Sequence, residues 1–386
     1  MKKTNKTVDT GGDKFDSFIK ANNKMKKYTS AKRNVDEFPY KQKVSTGSFT
    51  FDHVLGGGIL GAGMTKCAAP RETGKTAFAL SFAKFWQDTI PNGKVVYIDA
   101  EARMQTAPEK MKCSGIDTSP EKFEYIVNNN YEFVAGLVDF YSDEVGATEE
   151  GKEGNRYLFI IDSLDALLRS EDEAKGYNES LRVGGAATTA AHMMKKTYID
   201  IANNGHYIWL LSQHRDKLPG GSSGSNDGSG GNAMSHWSSL IMKFRKIYNS
   251  SIIQEGFPAQ NVDGGKRIGH ILSIDLLKTP NETTGETIQI PIKKGHGIWR
   301  EYEAFMVGEM WDVFIKDGAW ISLGKSFIEH LQNKNLLEGY DLVDKDKKSK
   351  DNFQTLKFQG KGNFITWLEE NPKVVDAIFG YIKSFA

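Results

Sequence analysis

Eight consecutive residues constrain this chain more than any others: Ala69-Pro70-Arg71-Glu72-Thr73-Gly74-Lys75-Thr76. They follow a short apolar run, Met64–Ala68, and open a helix-like stretch, Thr76–Trp86. A strand that turns directly into a helix leaves unpaired backbone N–H groups at the helix start, where an anion can sit. Gly74 has no Cβ, so the backbone can approach that anion closely. Lys75 supplies a cation for the outer phosphates, and the Thr76 hydroxyl can ligate Mg2+. The octapeptide reads as a phosphate loop with Ala69 in place of the first glycine. All its residues, Ala69, Pro70, Arg71, Glu72, Thr73, Gly74, Lys75 and Thr76, are expected to contact ATP.

Three further apolar runs, Lys94–Ile98, Tyr157–Ile161 and His206–Leu211, alternate with helical stretches at Pro108–Lys112 and Ala187–Ala202. That alternation implies an α/β fold, a parallel twisted sheet with helices on both faces. Ligands of such sheets bind at the carboxyl ends of the strands. There the runs end in Asp162, in Asp99 and Glu101, and in Gln213. Asp162 is expected beside Mg2+ through water; an acid capping a strand end is the plainer alternative. Glu101 is the candidate to polarise an attacking water, since alternation leaves Asp99 nearer the sheet edge; a helix cap is the alternative. Gln213 can hydrogen-bond a γ-phosphate and register its loss. Just beyond it, Pro219–Ala233 holds 6 Gly and 4 Ser in 15 residues. Such a segment cannot pack a core and reads as a flexible linker or a mobile functional loop. A phosphate sensor joined to such a loop offers a way for nucleotide state to set loop order.

Net charge is +1 over 386 residues, which excludes a uniformly basic coat but not local basic faces. Residues 1–44 carry 12 Lys/Arg and 5 Asp/Glu, a net of +7, so the remainder carries −6. This basic arm, with a weak helical pattern at Phe15, Phe18 and Ile19, is either a solvated terminus or an arm that docks on a neighbouring copy. No apolar run approaches the ~18 residues of a membrane span. The start, Met1-Lys2-Lys3-Thr4-Asn5-Lys6, lacks the apolar region of a signal peptide. Cys67 and Cys113 are too few for a disulfide scaffold or a zinc knuckle. A soluble, cytoplasmic protein is expected. His192 reads as a surface or packing residue. Residues 240–295 read as β-rich, and from about 296 a small C-terminal domain follows. Its core is expected to contain Trp299, Trp311, Trp320 and Trp367.

The assembled motifs resemble the RecA-type recombinases, both bacterial RecA and the phage UvsX-like members. Ser45-Thr46-Gly47-Ser48 with Leu55-Gly56-Gly57-Gly58 is similar to the family segment before the phosphate loop. Asp99-Ala100-Glu101 resembles the catalytic-glutamate segment, Ile161-Asp162-Ser163 the Mg2+ strand, and Ser212-Gln213-His214-Arg215 the strand end whose glutamine switches with ATP. Gly230-Gly231-Asn232-Ala233 resembles the close of the second DNA loop. Asp317-Gly318-Ala319-Trp320, Gly360-Lys361-Gly362-Asn363 and Trp367-Leu368-Glu369-Glu370-Asn371-Pro372 resemble the C-terminal domain of bacterial RecA.

The resemblance implies a RecA-like ATPase core over 45–295, an N-terminal helix/strand arm over 1–44 for protomer contact, and a small α+β domain over 296–386. It implies ATP and Mg2+ as cofactors, Glu101 and Gln213 as catalytic residues, and Thr76 and Asp162 at the metal. Lys278 is implied as a cation reaching a neighbour's ATP; the chain departs from the family there, because Thr279 and Pro280 follow it. Two DNA loops are implied, about 170–186 and 215–233, with Arg182, Val183, Gly184, Gly185, Arg215, Gly230, Gly231, Asn232 and Ala233 at the DNA. Val183 falls where the family wedges an apolar residue between bases. The implied activity is filament formation on single-stranded DNA, homologous pairing with a duplex and strand exchange, with DNA-stimulated ATP hydrolysis, in DNA repair. The implied partners are single-stranded DNA, homologous double-stranded DNA, other copies of the chain, and a single-strand-binding protein or loader. A hexameric helicase on the same core and a non-catalytic recombination mediator are the alternatives.

Overall fold

The strands at Gly63–Ala69, Gly93–Asp99, Arg156–Asp162 and Tyr207–Gln213 are short, almost wholly buried runs that end in polar turns. A computed structural model describes residues 40–106, 108–148, 150–176, 185–213, 234, 236–258, 260–345 and 353–385. Its main sheet contains β1 (Gly63–Ala69), β2 (Gly93–Asp99), β3 (Phe123–Ile126), β4 (Arg156–Asp162), β5 (Tyr207–Gln213), β6 (Leu240–Phe244), β7 (Ile252–Gln254), β8 (Arg267–Lys278), β9 (Thr287–Lys293) and β10 (Gly297–Ile298). The order is β10-β9-β8-β6-β1-β5-β4-β2-β3, with β7 paired on β8. From β6 to β3 all pairings are parallel. Beyond β6 the sheet continues antiparallel through β8, β9 and β10. The expectation of a parallel sheet therefore describes one wing. In the other, β8 reaches β9 through a turn too short for the crossover that parallel strands need.

Helices cover both faces. Among the described residues of the core, the helices of five residues or more are α1 (Phe49–Val54), α2 (Lys75–Thr89), α3 (Glu109–Cys113), α4 (Tyr131–Ser142) and α5 (Gly185–Asn203). Alternation along β2 sends Val95 and Tyr97 to one face and Val96 and Ile98 to the other. On the first face Phe78, Phe82 and Trp86 of α2 meet Trp209 of β5, with the Phe82 and Trp209 rings 4.8 Å apart. On the second, Val134 and Val138 of α4 and Met193, Met194 and Ile201 of α5 pack with Phe159, Ile161 and Leu210. Each of these side chains contributes roughly 1.5–3 kcal/mol by leaving water, so the sheet between them is held rigid. Asn130 caps α4 by accepting the Phe133 amide at 2.9 Å.

A separate apolar cluster forms around α6 (Arg300–Met310), α7 (Lys325–Asn333), α8 (Gly360–Glu370) and α9 (Pro372–Lys383) with the small sheet β11 (Phe314–Asp317), β12 (Trp320–Leu323) and β13 (Lys357–Gln359). Trp299 and Trp367 are buried in it. Trp311 and Trp320 are not: they are 44% and 46% exposed, because Trp311 lies past the end of α6 and Trp320 opens β12 on its outer side. The cluster is tied to the core by Glu303 of α6, which is buried and accepts Ser48 Oγ at 2.6 Å, the Phe49 amide at 3.1 Å and the Thr50 amide at 2.9 Å. These are the free donors at the start of α1. Asp52 of α1 in turn accepts Ser45 Oγ, the Thr46 amide and Thr46 Oγ1. Gly58 closes this segment with φ of 117°, and a Cβ there would stand 2.4 Å from the Val44 carbonyl. Among the described residues no helix is long and apolar enough to cross a membrane.

Residues 1–39, with the helical pattern at Phe15, Phe18 and Ile19, lie outside the described residues, as do Arg182, Val183, Gly184, Arg215, Gly230, Gly231, Asn232 and Ala233. Gly185 is the first residue of α5.

Candidate nucleotide site

The carboxyl ends of β1, β2, β4 and β5 meet at one edge of the sheet, because their pairing aligns Ala69 with Gln213 and Asp99 with Asp162. The loop from Pro70 to Gly74 joins β1 to α2 there. Gly74 stands at φ 99°, a left-handed conformation that disfavours any Cβ, and the Phe78 amide bonds its carbonyl at 2.9 Å to start the helix. Thr73 Oγ1 donates to the Pro70 carbonyl at 2.9 Å and pins the turn. Arg71 and Glu72 are exposed at its tip, and Glu72 has φ 60°.

Lys75 is buried, and its Nζ makes no hydrogen bond; the nearest opposite charge is Asp162 Oδ1 at 3.6 Å. Thr76 Oγ1 donates to Asp162 Oδ2 at 2.8 Å, and Tyr97 Oη donates to the same oxygen at 2.8 Å. Burial, with Asp162 beside it, pushes the Tyr97 phenol well above its usual range, so it remains a donor. A buried ammonium without hydrogen bonds costs several kcal/mol unless a ligand supplies acceptors. The arrangement fits a phosphate beside Lys75 and a divalent cation between the Thr76 hydroxyl and the Asp162 carboxylate.

Glu101 sits beside this group. Its Oε1 accepts Ser163 Oγ at 2.5 Å and Gln213 Nε2 at 2.7 Å, and its Oε2 lies 2.6 Å from Arg103 Nε. Burial pushes the carboxyl up, but the bonds from Ser163 and Gln213 and the charges of Lys75 and Arg103 outweigh it and hold it below the usual range. Gln213 is fixed from behind, since its amide N–H donates to Asp165 Oδ2 at 2.6 Å. Asp99 takes a different place: it is buried and accepts the Met104 amide and Tyr125 Oη.

The structure thus brings together the phosphate loop, Asp162, Glu101 and Gln213. Lys278 is not among them. It lies at the far end of β8, where its Nζ donates to the His236 carbonyl at 3.2 Å. The opposite end of β8 does reach the loop: His270 Nε2 donates to the Thr73 carbonyl at 3.2 Å while its Nδ1 accepts from Arg267 at 3.0 Å. Burial, with Arg267 beside it, lowers the His270 ring below its usual range and keeps it neutral. His270, Tyr97, Ser163 and Arg103 were not legible as site residues. For Tyr97 a signal existed, since alternation puts it on the face of Asp99, two residues before the strand end. For His270 there was none, because its contact depends on strand pairing 197 residues away. His192 is exposed, with Nδ1 3.5 Å from Tyr131 Oη, a surface position.

Residues 22–263 match the family model described as the RecA N-terminal domain, a span that includes every residue of this site except His270 and Arg267. Curated relatives agree with it. The chain is 27% identical to Protein RecA of Nautilia profundicola over 284 residues, covering 73% of each chain. It is 24% identical to Protein RecA of Synechocystis sp. over 338 residues, 87% of this chain and 80% of that one. Against Protein RecA of Mannheimia haemolytica it is 25% identical over 345 residues, 87% of this chain and 77% of that one. A family match across more than half of the sequence, on a sheet whose strand ends carry these side chains, places the chain: it belongs to the RecA family.

Proposed function

We infer that this chain is an ATP-dependent DNA recombinase, which assembles on single-stranded DNA, pairs it with a homologous duplex and resets by hydrolysing ATP. The observation that carries the reading is the hydrogen bond from Gln213 Nε2 to Glu101 Oε1. It joins the residue suited to polarise water to the last residue of β5, six positions before the Gly/Ser-rich segment begins at Pro219. Family membership supports ATP and DNA as its ligands.

In this reading Lys75 binds the outer phosphates and ends the isolation of its own ammonium. Thr76 and Asp162 hold Mg2+, which when bound offsets phosphate charge and orients the reacting group. Tyr97 keeps the Asp162 carboxylate turned toward Thr76. Glu101 orients the attacking water and takes its proton. Gln213 exchanges its bond to Glu101 for one to the γ-phosphate, and the shift passes to residues 215–233. Arg182, Val183, Gly184, Gly185, Arg215, Gly230, Gly231, Asn232 and Ala233 contact DNA, and phosphate contacts make that binding salt-sensitive. Residues 1–44 dock on the next protomer, residues 45–295 act as the ATPase unit, and residues 296–386 form the third domain. Lys278, at the end of β8 away from its own phosphate loop, is assigned to a neighbour's nucleotide site.

A strand-exchange assay with a single strand and a homologous duplex tests this. Joint molecules are expected with ATP and with a non-hydrolysable analogue, but release only with ATP. Absence of joint molecules under both conditions overturns the reading.

A further inference from the structure

The turn after β2 is built around a buried acid. Asp99 accepts the Arg103 amide at 3.2 Å, the Met104 amide at 2.8 Å and Tyr125 Oη at 2.7 Å. Between them Ala102 stands at φ 55°, a left-handed conformation uncommon for a residue with a Cβ. The chain therefore doubles back, and the Arg103 side chain returns alongside Glu101, with Nε 2.6 Å from Oε2. The Arg103 side chain is 58% exposed, whereas that of Glu101 is 11% exposed. Ser163 and Gln213 occupy the other oxygen, Oε1. Among the described residues, Lys75 at the start of α2 also acts on the carboxylate, Asp162 pairs with Lys75, and Asp165 holds the Gln213 amide.

We propose that Arg103 is a positioning residue that restrains Glu101: its guanidinium holds Oε2, keeps the carboxylate turned toward Ser163 and Gln213, and so keeps ATP hydrolysis slow until that contact opens. The inference rests on Glu101 being the group that polarises water. As the water oxygen bonds phosphorus and the bond to the diphosphate oxygen breaks, the water proton passes to Glu101. A carboxylate already holding three donors is a weaker base for that proton and is less free to turn. Ser163 follows the Asp162 carboxylate, and Gln213 ends a strand at the phosphate loop. Arg103 comes instead from the Glu101 turn, and its exposed guanidinium can swing into solvent without disturbing the packed groups around Glu101. Removing its guanidinium therefore alters Glu101 and leaves the phosphate loop and the metal ligands in place.

The test is steady-state ATP turnover of the full chain, without DNA and with oligo(dT), from about pH 5 to 9, for the wild type, R103A, R103K and E101Q. R103A is expected to raise DNA-free turnover roughly two- to fivefold and to narrow the stimulation by oligo(dT). Loss of the positive charge lets the Glu101 carboxyl rise, so the acid limb of the profile moves up by roughly half a pH unit. R103K restores most of the restraint. If R103A turns over no faster than wild type while its acid limb stays in place and E101Q is inactive, the proposal is overturned. A lowered melting temperature for R103A with an unmoved acid limb overturns it too, since that is the mark of a structural role. Normal turnover by E101Q removes the Glu101 reading itself, a separate result.

Discussion

Thr76 Oγ1 donates to Asp162 Oδ2 at 2.8 Å, joining two residues that are 86 positions apart in the chain. The bond links the first turn of α2 to the end of β4, and Tyr97 Oη fixes the same carboxylate oxygen from β2. Three elements thus hold one carboxylate beside the unbonded Lys75 ammonium.

Lys75→Ala removes the cation that this arrangement presents to phosphate. Charge-assisted bonds contribute about 1.5–3 kcal/mol each, so ATP affinity is expected to fall at least roughly tenfold, measured with a fluorescent ATP analogue. Thr76→Ala leaves Lys75 intact and is expected to raise the Mg2+ concentration needed for half-maximal turnover. Unchanged affinity in Lys75→Ala would remove the phosphate-loop assignment.

Deleting residues 220–231 takes out most of the Gly/Ser-rich segment and leaves Ser163, Gln213 and Arg103, the described partners of Glu101, in the chain. Single-stranded DNA binding is expected to be lost, while DNA-free ATP turnover persists. Fluorescence anisotropy with a labelled oligonucleotide at two salt concentrations reads the first, because phosphate contacts make the remaining affinity salt-dependent. Tight binding by the deletion variant contradicts the role given to this loop.

His206 makes the core sensitive to acid. Its Nδ1 accepts the Tyr157 amide at 3.1 Å and its Nε2 donates to the Glu144 carbonyl at 2.7 Å, so the ring is held neutral. Burial, with Arg156 nearby, lowers its pKa from 6.5 to about 4. A depressed pKa means that the contribution is complete above the unfolded value and is lost as pH falls from 6.5 toward 4. That loss is at most roughly 3 kcal/mol. Chemical denaturation across this range is expected to show the slope in the wild type and a flatter one in His206→Gln; equal slopes would rule His206 out.

Glu303→Ala leaves the Ser48 hydroxyl and the Phe49 and Thr50 amides without their acceptor. Buried donors left unpaired in this way cost about 3 kcal/mol together, which denaturant titration reads directly. Glu303→Gln keeps one acceptor oxygen and is expected to cost less. A loss within error of zero for Glu303→Ala would show that the tie between α6 and α1 carries no stability.

How much was legible follows from how each feature is encoded. The phosphate loop is contiguous, and its chemistry depends on backbone direction and on Gly74, so eight residues suffice to read it. Asp162 and Gln213 follow from apolar runs that stop at a polar residue. Their pairing with Thr76 and Glu101 adds the register of a sheet, in which Asp99 aligns with Asp162 and Ala69 with Gln213. The tryptophans show the limit of composition: Trp299 and Trp311 have the same chemistry, yet one is buried and the other lies beyond the end of α6.

By itself the amino-acid order determined the alternation of buried strands and helices, the anion cradle before α2 and the polar residues at the strand ends, because these depend on local periodicity and backbone conformation. Only the tertiary structure decided that Arg103 turns back on Glu101, that His270 holds the Thr73 carbonyl and that Glu303 caps a helix 255 residues away from it. Such contacts depend on which surfaces the packed sheet brings within a few ångströms of each other, and no local pattern in the chain records that.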